Sequence, residues 1–215
     1  MNTAAPRFSD TMLRTGTNKR AENDWYLDGP EATEALLRVE RFSGASWDPA
    51  CGIGTIPKTM LAAGLLCHGS DIVDRGWRNR RPFAEPAPPH LADFLKTTSP
   101  VPRVDNIISN PPFKLAREFV DCALVMASHK VAMLLPLTFL EGEKRGRWFQ
   151  TVPLARVHVF SWRISMPPGE LLQAGAVRAE GGKKAFAWLV FEHGWKGPPQ
   201  VGFLQRAEKG ETGNV

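Results

Sequence analysis

The chain has 215 residues, of which 43% are hydrophobic, and it carries a formal net charge of +5 with a sequence pI near 9.3. This length suits a single domain with a full hydrophobic core. No apolar run is long enough for a membrane helix, and the N-terminal MNTAAPRFSD lacks the basic and apolar regions of a signal peptide. Three widely spaced cysteines indicate neither a disulfide framework nor a zinc site. We therefore expect a cytoplasmic protein with reduced thiols, no membrane contact and no metal, either a monomer or a weak homodimer.

The first part of the chain predicts a polar arm and then alternating helices and strands. Residues 1–24 are polar without a period, and Pro30 begins a helical pattern in DGPEATEALLRVERF that places Ala32 and Leu36 on one face. GASWDPA indicates a strand that ends at Asp48, CGIGT indicates a glycine loop, and IPKTMLAAG indicates a helix. LLCHGSDI then indicates a second strand with Asp71 at its carboxyl end.

The remainder begins with a proline-rich segment, residues 72–104, which we expect to be a loop with a short strand near residues 90–92. Four further strands are indicated by VDNIIS, KVAMLLP, RVHVFS and AFAWLVFE. The unbroken apolar run KVAMLLP is typical of a strand buried on both faces of a parallel sheet. KLAREFVDCALVMAS and EGEKRGRWFQTV indicate helices between them. This alternation predicts a single-domain α/β fold with a doubly wound sheet.

The glycine loop DPACGIG, residues 48–54, lies between a predicted strand and a predicted helix, where open α/β sheets bind nucleotide-like ligands. It matches neither GxGxxG nor GK[ST], and its leading Asp48 would repel pyrophosphate but suits a cationic amine. Asp71, at the end of the next strand, can accept hydrogen bonds from both ribose hydroxyls. With Gly52 and Gly54, these acids fit a positively charged nucleoside without phosphates, such as S-adenosylmethionine. A tight strand-to-helix turn is the alternative interpretation.

The group Asn110-Pro111-Pro112-Phe113 directly follows the strand VDNIIS. An exocyclic amine on a base is a poor nucleophile, because its lone pair is delocalised into the ring. The Asn110 side-chain oxygen and the Pro111 carbonyl could accept its two hydrogens, while the prolines hold the geometry. Phe113 could stack on the base. The group therefore predicts methylation of an amine, mainly by positioning, and a rigid loop is the alternative.

DPACGIG followed by SNPPF resembles motifs I and IV of class I S-adenosylmethionine-dependent methyltransferases that act on amino groups, especially the small adenine-N6 DNA methyltransferases of phages and prophages. NDWYLDGPEATEALL resembles motif X, although many relatives have Tyr-x-Thr-Pro where this chain has Tyr26-Leu27-Asp28-Gly29-Pro30, and ADFL resembles motif III. The resemblance covers roughly residues 20–204. It implies a Rossmann-like fold with a seven-stranded, mostly parallel sheet, a catalytic domain over residues 25–204, an arm at 1–24 and a tail at 205–215.

The resemblance also implies which residues bind the cofactor S-adenosylmethionine and which act in the transfer. The implied catalytic residues are Asn110, Pro111, Pro112 and Phe113. The implied cofactor contacts are Tyr26, Pro30, Asp48, Pro49, Ala50, Cys51, Gly52, Gly54, Thr55, Asp71, Ile72, Asp93, Phe94 and Asn110.

The activity implied by the resemblance is methyl transfer to the N6 amino group of adenine in DNA, with the base flipped out of the duplex. One alternative is an RNA methyltransferase that acts on adenine N6 or guanine N2, and a glutamine-N5 methyltransferase of proteins is less favoured. A further alternative is a nucleic-acid-binding protein that has this fold but no activity.

Clustered basic residues form the candidate nucleic-acid surface, because they can contact phosphates in a salt-dependent way. They fall in RGWRNRR (75–81), in EKRGR (143–147) and in the segment 161–184, which is long for a hairpin connection and is the predicted recognition insertion. A solvated charged face is the alternative for each cluster. The candidate residues are Arg75, Arg78, Arg80, Arg81, Lys144, Arg145, Arg163, Lys183 and Lys184.

Overall fold

A computed structural model describes residue 21 and residues 24–78, 90–96, 104–178, 182 and 184–207. Most of the predicted arm and tail lies outside these residues. The helices are α1 (Pro30–Val39), α2 (Thr55–Ala62), α3 (Ala116–Met126), α4 (Glu143–Phe149) and α5 (Gly169–Gln173). The strands are β1 (Ser46–Asp48), β2 (Cys67–Gly69), β3 (Val104–Ser109), β4 (Ala127–Pro136), β5 (Leu154–Phe160), β6 (Phe186–Glu192) and β7 (Gln200–Leu204). None of the described helices is long and apolar enough to cross a membrane.

The strands form one seven-stranded sheet in the order β2-β1-β3-β4-β6-β5-β7. Strand β6 is antiparallel to its neighbours β4 and β5, and the other neighbouring pairs are parallel. The prediction of a doubly wound, mostly parallel α/β sheet is therefore confirmed.

One of the seven predicted strands is wrong. Near residues 90–92 the structure has only an isolated parallel bridge between Asp71 and Leu91. The seventh strand is instead β7, which lies at the edge of the sheet beside β5. The sequence KGPP directly before it indicates a loop, and Val201 and Phe203 of β7 are exposed, so β7 lacks the apolar signal of a buried strand.

Strand β4 separates two hydrophobic cores. Val131, Met133 and Leu135 pack in the core that contains residues of α3 and α4. The intervening Ala132 and Leu134 pack in the other core, which contains residues of α1 and α2. Because successive side chains of a strand point to opposite faces, burial on both faces explains the unbroken apolar sequence of β4.

A buried ionic network joins α1 to the sheet at Glu40, the residue that follows the helix. Glu40 accepts hydrogen bonds from Lys130 of β4 at 2.9 Å and is 2.9 Å from His158 Nε2 of β5. Arg156 bridges Glu40 and Glu192. Burial by itself raises the pKa of Glu40, but hydrogen bonds from His158, Arg156 and Lys130 outweigh it and lower the pKa from 4.5 to about 2.

We predict that Glu40→Gln lowers the free energy of unfolding by about 3 to 5 kcal/mol at pH 7, because buried cations lose their counter-charge. Ionised Glu40 stabilises the fold above pH 4.5, and this contribution is lost as the pH falls toward 2. Urea denaturation at pH 7 and at pH 3 measures both effects.

The matched control is Glu34→Gln, since Glu34 is an exposed acid of the same helix. We expect this variant to change the free energy of unfolding by less than about 0.5 kcal/mol. Equal stability of the two variants at pH 7 would contradict the network's role.

Candidate active site

A cavity of about 520 Å³ opens at the carboxyl ends of β1, β2 and β3. In the sheet β1 lies between β2 and β3, so the chain reverses its direction of winding at this position. Crevices at such switch points are where α/β sheets bind ligands, and the volume is in the range of small-molecule sites. The predicted cofactor residues that line it are Tyr26, Asp48, Pro49, Ala50, Cys51, Gly52, Thr55, Asp71, Ile72, Asp93, Phe94 and Asn110.

Hydrogen bonds hold the glycine loop against its neighbouring strands. Asp48 Oδ1 accepts hydrogen bonds from Ser109 Oγ at 2.8 Å and from the Ala50 amide at 3.2 Å. Asp71 Oδ2 accepts one from the Gly52 amide at 2.8 Å. Burial raises the pKa of Asp48 well above its usual range, and the charge of Asp71 adds to this effect. The loop is thus both a tight turn and a wall of the cavity.

Glycine is required in this loop by backbone conformation and by close contacts. Gly52 has φ +54°, and a Cβ there would lie 2.9 Å from Trp25 Nε1. Gly54 has φ +80°, and a Cβ there would lie 2.0 Å from the Trp77 ring. Gly54 is not among the cavity-lining residues, so it serves the turn.

A second wall of the cavity comes from residues 91–95. The bridge between Asp71 and Leu91 brings this segment beside the end of β2. Phe94 is buried and packs edge-to-face on Trp47, with 5.2 Å between ring centroids. Asp93 also lines the cavity and pairs with Lys96 at 3.1 Å. The structure therefore brings the predicted motif III residues to the same cavity as the glycine loop.

Asn110 directly follows β3 and is held by its side-chain nitrogen. Nδ2 donates to the Tyr26 carbonyl at 3.0 Å and to Asp28 Oδ1 at 3.2 Å. The side-chain oxygen of Asn110 is buried and has no hydrogen-bond partner among the described residues. A buried acceptor without a donor costs about 1 to 3 kcal/mol, so a hydrogen-bond donor on a ligand would stabilise this oxygen.

The other members of the Asn-Pro-Pro-Phe group have different surroundings. Pro112 lines the cavity and Pro111 is buried. Phe113 is not among the lining residues; its ring is stacked on Tyr26 at 5.8 Å and 11°, and it also contacts Phe186. One face of the Phe113 ring, which the sequence predicts to stack on a base, therefore lies against Tyr26. Pro30, a further predicted cofactor contact, begins α1 and is exposed outside the cavity.

The first part of the predicted recognition insertion is a buried strap rather than an exposed loop. Residues 164–169 are buried and run beside residues 25–27. The Leu27 amide donates to the Pro167 carbonyl at 3.0 Å, and the Gly169 amide donates to the Trp25 carbonyl at 3.0 Å. A Cβ on Gly169 would lie 2.3 Å from the Trp25 ring. We call residues 164–169 the strap.

Three residues near the cavity are not among the site residues that the sequence predicts: Trp25, Asp28 and Met166. Trp25 and Asp28 line the cavity, and Met166 Sδ lies 3.9 Å from Asn110 Nδ2. Two consecutive prolines precede Gly169 in the strap, as in the Asn-Pro-Pro-Phe group, and this was the available signal of a rigid, buried segment.

The predicted nucleic-acid residues have separate environments. Arg75 lines the cavity with its guanidinium 3.8 Å from the Trp25 ring centroid, and its buried Nε has no partner among the described residues. Arg78 is exposed and pairs with Asp74 at 2.8 Å. Lys144, Arg163 and Lys184 are exposed and Arg145 is half-buried. Arg80, Arg81 and Lys183 lie outside the described residues.

Within the described part of the chain, no group of three or more His, Cys, Asp or Glu side chains could hold a metal ion.

No protein-family model and no curated protein sequence matches the chain. Among solved structures, it is similar to a protein from Pyrococcus horikoshii described as an RNA methyltransferase, with a TM-score of 0.58, 17% identity, and 89% of this chain and 98% of that chain covered. A modification subunit described as part of a type I restriction enzyme from Vibrio vulnificus has a TM-score of 0.54 and 14% identity, with 94% of this chain but only 51% of that chain covered.

A third similar structure is a protein from Listeria monocytogenes described as a class I S-adenosylmethionine-dependent methyltransferase. It has a TM-score of 0.53 and 13% identity, with 90% of this chain and 69% of that chain covered. The chain therefore has the Rossmann-like fold of class I methyltransferases, as the resemblance of its motifs implied.

We predict that Gly54→Ala lowers the free energy of unfolding by about 1 to 2 kcal/mol for the left-handed backbone alone, and by more because the added methyl meets Trp77. Gly64→Ala is the matched control, since Gly64 has φ +78° with no atom within 4 Å of its added Cβ. Urea denaturation of both variants isolates the contact with the ring. If Gly54→Ala is no more destabilising than Gly64→Ala, the Trp77 ring does not pack against Gly54.

Proposed function

We propose that this protein transfers the methyl group of S-adenosylmethionine to an exocyclic amino group, N6 of adenine in DNA. The observation that carries the proposal is the side-chain oxygen of Asn110, a buried acceptor without a donor beside an acid-lined cavity. The shared fold supports the reaction class.

The charges of the cavity fit S-adenosylmethionine, which has a sulfonium, an ammonium and a single carboxylate. Five aspartates line the cavity (Asp24, Asp28, Asp48, Asp71 and Asp93), against the cations Arg75 and Lys114. Such a wall attracts a cation and repels phosphates. Asp48 would hold the ammonium. Asp71 would accept the ribose hydroxyls with the lone pairs that remain beside its bonds from Gly52 and Val73.

The cofactor's carboxylate requires a donor in this acidic cavity, and Arg75 meets the requirement. Its Nε is buried without a partner among the described residues, and its guanidinium carbon lies 3.8 Å from the Trp25 ring centroid. Arginine binds carboxylates through paired N–H groups. We therefore assign Arg75 to the cofactor instead of the nucleic-acid surface.

The acceptor amine would be held by Asn110 and Pro111. The Asn110 oxygen and the Pro111 carbonyl would each accept one N–H, which directs the nitrogen lone pair at the sulfonium methyl. The bound cofactor supplies the electrophilic methyl group, and the protein supplies alignment, which accounts for most of the rate enhancement in such reactions. No covalent intermediate is required.

DNA is the favoured polymer because the motifs resemble those of adenine-N6 DNA methyltransferases, and a neighbouring structure is described as a modification subunit of a restriction enzyme. Lys144, Arg163 and Lys184 are exposed for phosphate contacts. RNA is the second candidate, since the Pyrococcus horikoshii structure is described as an RNA methyltransferase.

The proposed function is tested by supplying tritiated S-adenosylmethionine with DNA, RNA or protein pools and analysing the digested nucleosides by mass spectrometry. We expect label in N6-methyladenine of DNA, and a loss of at least about 100-fold in Asn110→Ala with cofactor affinity largely retained. Gln150→Ala, which removes an exposed amide after α4, is the control. Label confined to RNA would support the second candidate, and full activity of Asn110→Ala would overturn the mechanism.

We predict that Arg75→Ala weakens binding of S-adenosylmethionine about tenfold, as expected for loss of a charged hydrogen bond. Decarboxylated S-adenosylmethionine should bind the variant and the native protein equally, because it lacks the carboxylate. Calorimetric titration measures all four affinities, and Arg78→Ala, which removes an exposed neighbouring cation, is the control. Equal losses for the two ligands would show that Arg75 does not bind the carboxylate.

A further inference from the structure

Asp28 is a buried carboxyl group in the candidate active site for which the sequence motifs gave no role. It lies between residues 25–27 and α1, at the position where the chain departs from Tyr-x-Thr-Pro. Its Oδ1 accepts the hydrogen bond from Asn110 Nδ2 at 3.2 Å. Its Oδ2 is buried and has no partner among the described residues.

The orientation of the Asn110 side-chain amide is set by the atoms that surround its terminal nitrogen and oxygen. The terminal atom that faces the Tyr26 carbonyl and Asp28 Oδ1 must be the nitrogen, since an oxygen there would meet two further oxygens. The amide oxygen consequently has no partner among the described residues. The Tyr26 carbonyl accepts at every pH, whereas Asp28 changes from a pure acceptor to a donor when it is protonated.

We propose that Asp28 is a positioning residue for methyl transfer, which holds the Asn110 amide by its nitrogen and leaves the amide oxygen for the acceptor amine. The proposal rests on the proposed function. A protonated Asp28 could donate its O–H to the amide oxygen of Asn110. That bond would satisfy two buried oxygens that are unpartnered in the structure and would compete with the acceptor amine.

The charge state of Asp28 changes within an accessible pH range. Burial raises its pKa from 3.8 to about 6, the bond from Asn110 opposes this shift, and the charge of Glu31 on α1 adds to it. Asp48 at the end of β1 is a further titratable group that interacts with Asp28, and the strap contains no titratable side chain. Asp28 therefore changes from the ionised to the neutral form as the pH falls through about 6.

The kinetic test is the pH profile of kcat/KM, which reports the ionisation of groups in the free enzyme. We expect native activity to fall on the acidic side with a midpoint of about 6. Asp28→Asn places a permanent donor beside Asn110, so it should be slower by roughly 100-fold and should lack this acidic limb, with a loss of cofactor affinity that is small beside the loss of kcat.

Glu31→Gln is the control, because it removes an adjacent exposed carboxylate outside the cavity. It should keep the acidic limb, with a midpoint shifted slightly downward. An acidic limb that persists in Asp28→Asn would overturn the proposal. So would a loss of cofactor affinity with unchanged kcat, since Asp28 would then hold the cofactor's ammonium instead.

A second measurement needs no methyl transfer and therefore separates the two proposals. In ¹⁵N-labelled native protein without cofactor, the side-chain amide signal of Asn110 should shift with a midpoint of about pH 6, and Asn110→Ala identifies the signal. The shift should be absent in Asp28→Asn. A signal that does not move between pH 5 and pH 7 would overturn the role of Asp28, whereas a failure to methylate any substrate would overturn the proposed function alone.

Discussion

The hydrogen bond from Ser109 to Asp48 joins the carboxyl ends of β3 and β1, and the geometry of the site depends on it. Asp48 begins the glycine loop, and Ser109 directly precedes Asn110. The bond therefore sets the position of the loop relative to the residue that would orient the acceptor amine. Both residues are almost fully buried, where a hydrogen bond to a carboxylate is stronger than it is in water.

The electrostatics of the cavity follow from carboxylates that are crowded and partly desolvated. Burial raises the pKa of Asp28 and of Asp48, and the two groups interact with each other. A cationic ligand would relieve this repulsion and favour the ionised forms, so the acids and the ligand would stabilise each other. The same cavity also contains the cations Arg75 and Lys114, of which Arg75 is proposed to bind the carboxylate. This charge pattern matches S-adenosylmethionine in a way that a nucleotide with several phosphates does not.

Much of the fold could be predicted from the sequence because its signals are local. The apolar run of β4, the glycine loop with Asp48, and the prolines after β3 all depend on neighbouring residues. The contact of Asp28 with Asn110 spans 82 positions, and no local pattern indicates it. The contacts of the strap are likewise distant in sequence, since its partners are the backbone groups of residues 25–27. Strand β7 was missed because an edge strand with exposed apolar residues lacks the periodicity of a buried one.

In the proposed complex, S-adenosylmethionine binds between the glycine loop and Asn110, and the Asn110 side-chain oxygen accepts a hydrogen bond from the acceptor amine. A crystal structure with S-adenosylhomocysteine, the demethylated product, tests it most directly. We predict ribose hydroxyls within hydrogen-bond distance of Asp71, the carboxylate on Arg75, and the Asn110 nitrogen still donating to Tyr26 and Asp28. A ligand bound outside this cavity, or an Asn110 amide that is reversed so that its oxygen meets Asp28, would contradict the account.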